Sequence, residues 1–119
     1  MRDHTKLRAF GLADFLAKEV YKVTSAFPDN ERYGLSSQMR RSAVSTACNI
    51  VEGSARRTET DYLRFLDIAY GSARELQYLI SLAFALGYLD EKKRDVVGGA
   101  CSETSRVLNA LIRSLRTDR

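Results

Sequence analysis

At 119 residues, 45% hydrophobic and 29% charged, the chain has the size and make-up of one helical globular domain, which argues against disorder. No apolar run approaches the roughly 20 residues of a membrane helix, and the start MRDHTKLRAF lacks the apolar stretch of a secretory signal, so a cytoplasmic location is expected. One histidine and two cysteines far apart in sequence argue against a zinc pattern, a disulfide scaffold and imidazole catalysis, and a net charge of +4 permits phosphate or acidic partners without requiring them.

Apolar residues recur at helical spacing through Ala9, Leu12, Leu16, Val20 and Val23, with Phe15 widening the stripe, which predicts a first helix over 7–26. Phe27-Pro28-Asp29-Asn30 ends it, because proline restricts the residue before it and Asp and Asn favour a turn. A second helix over 35–53 follows Gly34, with Ser36 or Ser37 available to cap its first amides and Gly53-Ser54 to close it. Thr58, with Asp61 three positions on, opens a third helix over 59–86 that Gly87 stops. Asp90 caps a fourth over 91–116, with Val97, Ala100, Thr104, Val107, Leu108, Leu111 and Leu115 on one stripe. Gly98-Gly99 inside it costs about 2 kcal/mol against Ala-Ala, and implies either a kink or a close backbone contact. With short loops between them, these helices make residues 1–119 a single all-α domain, an antiparallel up-down-up-down four-helix bundle. Cys48 and Cys101 are expected to be small buried hydrophobes.

The second helix is the unusual one. At 100° per residue, Gln38, Ser42, Ser45, Asn49 and Glu52 form a narrow polar stripe, while Leu35, Met39, Ala43, Val44, Ala47, Ile50 and Val51 cover a very wide apolar arc containing Arg40. Either the stripe is solvated and Arg40 snorkels outward, or the helix packs on two sides, against its own bundle and against another subunit; the width of the arc favours the second. On the third helix Ser72 falls in the apolar arc of Phe65, Ile68, Ala69, Leu76, Leu79 and Ala83, with Glu75 at its edge. A polar cluster of Arg41, Ser45, Asn49, Glu52, Ser72 and Glu75 is therefore expected, in which Asn49 or Arg41 satisfies Glu75. The opposite face carries Leu63, Asp67, Tyr70, Arg74, Gln77 and Tyr78; with Tyr70, Arg74 and Tyr78 four apart, the guanidinium can lie against a ring. Together with Arg40, that Tyr/Arg set is the candidate oligomer interface.

The stretch FPDNERYGLSSQMRRSAVSTACNIVEGSARR, followed by YLRFLDIAYGSARELQ, resembles the small bacterial four-helix-bundle proteins encoded by intervening sequences of large-subunit ribosomal RNA genes. It also looks like a relative of the accessory variability proteins of diversity-generating retroelements. The resemblance spans roughly Leu7 to Leu115 and rests most on Phe27-Pro28, Tyr33-Gly34-Leu35, Arg40-Arg41, Asn49-Ile50, Glu52-Gly53, Gly71-Ser72 and Glu75-Leu76. It implies an antiparallel bundle, a ring-shaped homopentamer in several members, and no established catalytic activity. It further implies RNA or DNA as a partner and, in the retroelement relatives, a reverse transcriptase. Thr46-Ala47 stands where the family usually has Ile-Pro, which removes the expected cause of a kink.

Three functions compete. A nucleic-acid-binding oligomeric scaffold would use Arg106, Arg113 and Arg116 on the fourth helix, Lys92 and Lys93 at its start, and Arg56 and Arg57 after the second. A protein-interaction adaptor would use the Tyr70-Arg74-Tyr78 face and show little salt-dependent affinity for nucleic acid. An enzyme is the weakest of the three: Glu52 and Glu75 have neither a nucleophile, a phosphate-binding loop nor metal ligands beside them, so no catalytic residue, cofactor or metal is assigned.

Overall fold

Four α-helices carry the chain in the computed structural model, which describes residues 2–117: α1 Arg8–Thr24, α2 Leu35–Ser54, α3 Glu59–Ala85 and α4 Glu91–Thr117. Short 3-10 turns at His4–Lys6 and Asp29–Glu31 precede α1 and α2, and no strand occurs among the described residues. Each helix packs on its two neighbours in the order α1, α2, α3, α4 and back to α1, without diagonal pairing. This is the antiparallel up-down-up-down bundle that the periodicity predicts. The long axis of 45 Å is close to the roughly 40 Å that a 27-residue helix such as α3 spans.

Local chemistry sets the helix ends. Thr58 accepts a hydrogen bond from the Asp61 amide, and Asp90 accepts one from the Lys93 amide. Gly87, at φ 83°, ends α3 in a Schellman turn, with the Tyr88 amide on the Ala83 carbonyl and the Gly87 amide on that of Phe84. At α2 the expected serine cap is corrected: Gly34 stands at the cap position, and the Glu31 carboxylate instead accepts from the Leu35 amide at 3.0 Å while Ser36 is buried. The same carboxylate accepts from the Tyr88 hydroxyl at 2.9 Å, so one side chain ties the α1–α2 connection to the α3–α4 turn.

Those two bonds, the Leu35 amide foremost and then Tyr88, hold the Glu31 carboxyl below its ordinary value of 4.5. A carboxyl with a lowered native pKa contributes stability above its unfolded pKa and loses it as pH falls through the native value. The thermal midpoint is therefore expected to drop on acidification below pH 4.5, and Glu31→Gln should flatten that part of the profile. Parallel melting profiles for the two proteins would remove Glu31 from the account.

The interior divides into two apolar clusters. One, at the end where α1 runs into α2, holds Leu16, Val20, Met39, Leu76, Ile80 and Val97; the other, at the α2–α3 turn, holds Ala13, Ile50, Tyr62, Leu66, Leu108 and Ile112. Between them lies a waist of small side chains, Thr46, Ala73, Thr104 and Ser105, where the Cys101 thiol donates to the Ala73 carbonyl at 3.2 Å. Burial pushes that thiol up to about 12. Cys48, by contrast, is exposed on the outer side of α2, correcting the expectation that both cysteines are buried. Ile68 and Phe15 are likewise 42% and 50% exposed, although both belong to predicted apolar arcs.

Helix α4 runs unbroken through Gly98-Gly99, and a Cβ on Gly98 would meet only ordinary contacts at 3.8 Å and beyond. A forced close approach therefore does not account for the pair. Helix α2 is also continuous through Thr46-Ala47, where the Thr46 hydroxyl donates to the Ser42 carbonyl. At the waist the buried Ser105 hydroxyl has no hydrogen-bond partner among the described residues. Ser105→Ala is expected to raise the unfolding free energy by about 1 kcal/mol, through removal of an unsatisfied polar atom and better helix propensity. Urea denaturation checks this, and a loss of stability would show that the hydroxyl is paired in solution.

Candidate nucleic-acid interface

The polar stripe of α2 meets α3 as a seam of hydrogen bonds. The Ser42 hydroxyl donates to the Glu75 carboxylate at 2.6 Å, and Ser45 and Ser72 pair through their hydroxyls at 2.9 Å. The Asn49 amide stays within its own helix, donating to the Ser45 carbonyl and hydroxyl. The expected partner of Glu75 is thus corrected from Asn49 or Arg41 to Ser42, which is short enough to sit between packed helices. Ser45, Asn49, Ser72 and Glu75 do belong to the seam. Arg41 and Glu52 are exposed, and neither side chain joins it.

The basic residues fall into two groups by their partners. Arg116 donates to Asp67 at 2.6 Å, and Arg106 and Arg8 both reach Glu103 at 2.6 Å, so much of the charge expected along α4 is already compensated. Arg106 foremost, and then Arg8, holds the Glu103 carboxyl below its ordinary value. Arg113, Arg57, Lys92 and Lys93 are exposed and make no ion pair among the described residues. Arg56 stacks over Phe65 with its guanidinium 5.2 Å from the ring centroid and donates to the Glu52 carbonyl. With Arg57, Thr58 and Asp61 it lines a shallow groove at the α2–α3 turn. Lys92 and Lys93 line another with Glu19, Lys22 and Val96. The antiparallel course places these two groups at opposite ends of the bundle.

On α3, Arg74 and Tyr78 are exposed and Tyr70 is half-buried against the cluster that contains Leu108. Arg74 stacks on neither tyrosine, and Leu63, expected on this outer face, is buried. Arg40 lies apart from them, because its Nε donates to the Thr24 hydroxyl at 2.8 Å and its guanidinium stacks 4.6 Å from the Tyr21 ring centroid, both on α1.

That anchoring opens a feature that the one-helix-at-a-time reading misses. Tyr21 of α1, Arg32 and Tyr33 of the connection, and Arg40, Arg41 and Val44 of α2 line one groove of about 440 Å³. An arginine-tyrosine pair in a turn followed seven residues later by two adjacent arginines is the sequence signal that could have found it. Among the described residues there is no group of three or more His, Cys, Asp or Glu side chains able to hold a metal ion, and no helix is long and apolar enough to cross a membrane.

Comparison with known proteins gives a family and a fold. A crystal structure of a protein of unknown function from the S23 ribosomal protein family of Bacteroides thetaiotaomicron superposes with a TM-score of 0.82, covering 88% of this chain and 95% of that one at 20% identity. No curated protein matches the sequence. Residues 5–110, which take in nearly all of the bundle just described, match the model of the 23S rRNA-intervening sequence proteins, and the chain belongs to that family.

Proposed function

We propose that the chain is a non-enzymatic scaffold that assembles into an oligomer and binds RNA or DNA through cations its own carboxylates leave free. The observation that supports this most is the sorting of the basic residues: Arg57, Arg113, Lys92 and Lys93 stay exposed and unpaired while their neighbours Arg106 and Arg116 are neutralised. Each copy presents only a few such charges, so useful affinity comes from repetition. A ring of five copies, which the resemblance implies, multiplies the released counterions accordingly.

The test is binding to a structured RNA and to a matched DNA duplex across a salt series, with mass in solution determined in the same buffers. Affinity should fall steeply between about 50 and 200 mM salt. Arg57→Ala with Arg113→Ala should weaken it and reduce the slope, whereas Arg106→Ala should do little. An assembled protein that binds neither nucleic acid would favour the adaptor reading, which the exposed Tyr78 and Arg74 on α3 support. The resemblance names a reverse transcriptase as the kind of protein partner to try.

A further inference from the structure

We infer that the groove between α1 and α2 is a binding site for a single-stranded segment of nucleic acid, with Tyr33 stacking an unpaired base and Arg32, Arg40 and Arg41 holding the flanking phosphates. The inference rests on the nucleic-acid reading above but stands on different residues.

Three guanidinium groups line this groove of about 440 Å³, and none of the three forms an ion pair among the described residues. The carboxylate closest in sequence, Glu31, is turned away to the Leu35 amide and the Tyr88 hydroxyl. Asp29 lines the adjoining hollow with Arg32 and Arg40 and pairs with neither. Asp29 is thus the one carboxylate lining that hollow, and no carboxylate of the described residues forms an ion pair with the three guanidinium groups. Arg40 is also held in place before any ligand arrives, by Thr24 and by the face of Tyr21. A guanidinium fixed in this way loses less freedom on binding phosphate.

Tyr33 decides the class of ligand. The residue is 88% exposed, and among the described residues its one ring contact is the Arg32 guanidinium, 5.6 Å from the centroid. A free aromatic face beside unpaired guanidinium groups matches the alternation of base and phosphate along a single strand. Paired bases in a duplex are stacked on one another and offer their faces only at the ends, so a duplex could use the arginines but not the tyrosine. An acidic peptide would likewise leave the ring unused.

The experiment is fluorescence anisotropy of labelled ten-nucleotide single-stranded RNA and DNA, the matched duplexes and a polyglutamate peptide, titrated with the full chain and its variants. The single strands should bind more tightly than the duplexes. Tyr33→Ala should weaken single-strand binding about tenfold, from stacking contributions of this size, and Tyr33→Phe should retain it. Arg41→Ala should reduce the single-strand salt slope by about 0.7. Duplexes bound as well as single strands, with Tyr33→Ala without effect, would overturn the site while leaving the scaffold reading intact. Failure of every nucleic acid to bind would overturn both. Polyglutamate bound as tightly, with the same Arg41 dependence, would reassign the groove to acidic peptides. A change in solution mass on Tyr33→Ala would make it a subunit contact.

Discussion

Leu66→Ala is expected to lower the unfolding free energy by about 4 kcal/mol, in the upper part of the range for a buried leucine truncated to alanine. Leu66 is fully buried in the cluster at the α2–α3 turn, and that cluster also includes Ala9, Ala13 and Ala69. Alanines have no side-chain torsion with which to move into vacated space, so most of the leucine volume remains as a cavity. Leu86→Ala is the control, because Leu86 is 51% exposed and surface changes of this kind fall within about 0.5 kcal/mol of neutral. Urea denaturation of the two variants side by side decides the matter. A Leu66→Ala loss below about 2 kcal/mol would show that the bundle collapses onto the gap.

Gly53→Val is the second large effect, with an expected loss of about 2 kcal/mol. Near its end α2 passes so close to α3 that a Cβ on Gly53 would lie 3.0 Å from the Phe65 Cβ, 3.2 Å from Tyr62 Cδ1 and 3.4 Å from the Tyr62 carbonyl oxygen. The first of these is the root of a side chain and the last is backbone, so a rotamer change cannot relieve the clash. The helices must separate, and Tyr62, 1% exposed beneath the Arg2 guanidinium, would be loosened with them. The better helix propensity of valine offsets only a few tenths of a kcal/mol. Thermal unfolding monitored by circular dichroism reads the result, and an unchanged midpoint would show that Phe65 and Tyr62 give way without cost.

How far the sequence discloses this molecule depends on the range of the physics involved. Thr58, Gly87 and Asp90 are legible as helix ends because their cap bonds join residues only three to five apart. The cap of α2 is equally local, with Glu31 four residues before Leu35, but a serine search that starts at the helix itself passes over it, and the Tyr88 hydroxyl that also holds this carboxylate lies 57 residues away. Periodicity gives the angle of a residue on its helix but not which neighbour covers that angle. Cys48, Ile68 and Phe15 are therefore exposed at positions that looked interior, and Leu63 is buried at one that looked exterior. The polar seam was visible as a stripe, yet the pairing of Ser42 with Glu75 depends on helix register and not on angle. The groove of Tyr21, Arg32, Tyr33, Arg40 and Arg41 was least legible of all, since its residues come from two helices and the connection between them.

The waist of Thr46, Ala73, Thr104 and Ser105 bears on whether the two ends of the molecule communicate. The two apolar clusters share no buried member across this waist, so a repacking of side chains at one end has no continuous path of large side chains to the other and only the four antiparallel helix backbones join them. Occupancy of the Tyr33 groove is thus expected to leave affinity at Arg57 unchanged, and the two ends would act as separate, additive points of attachment.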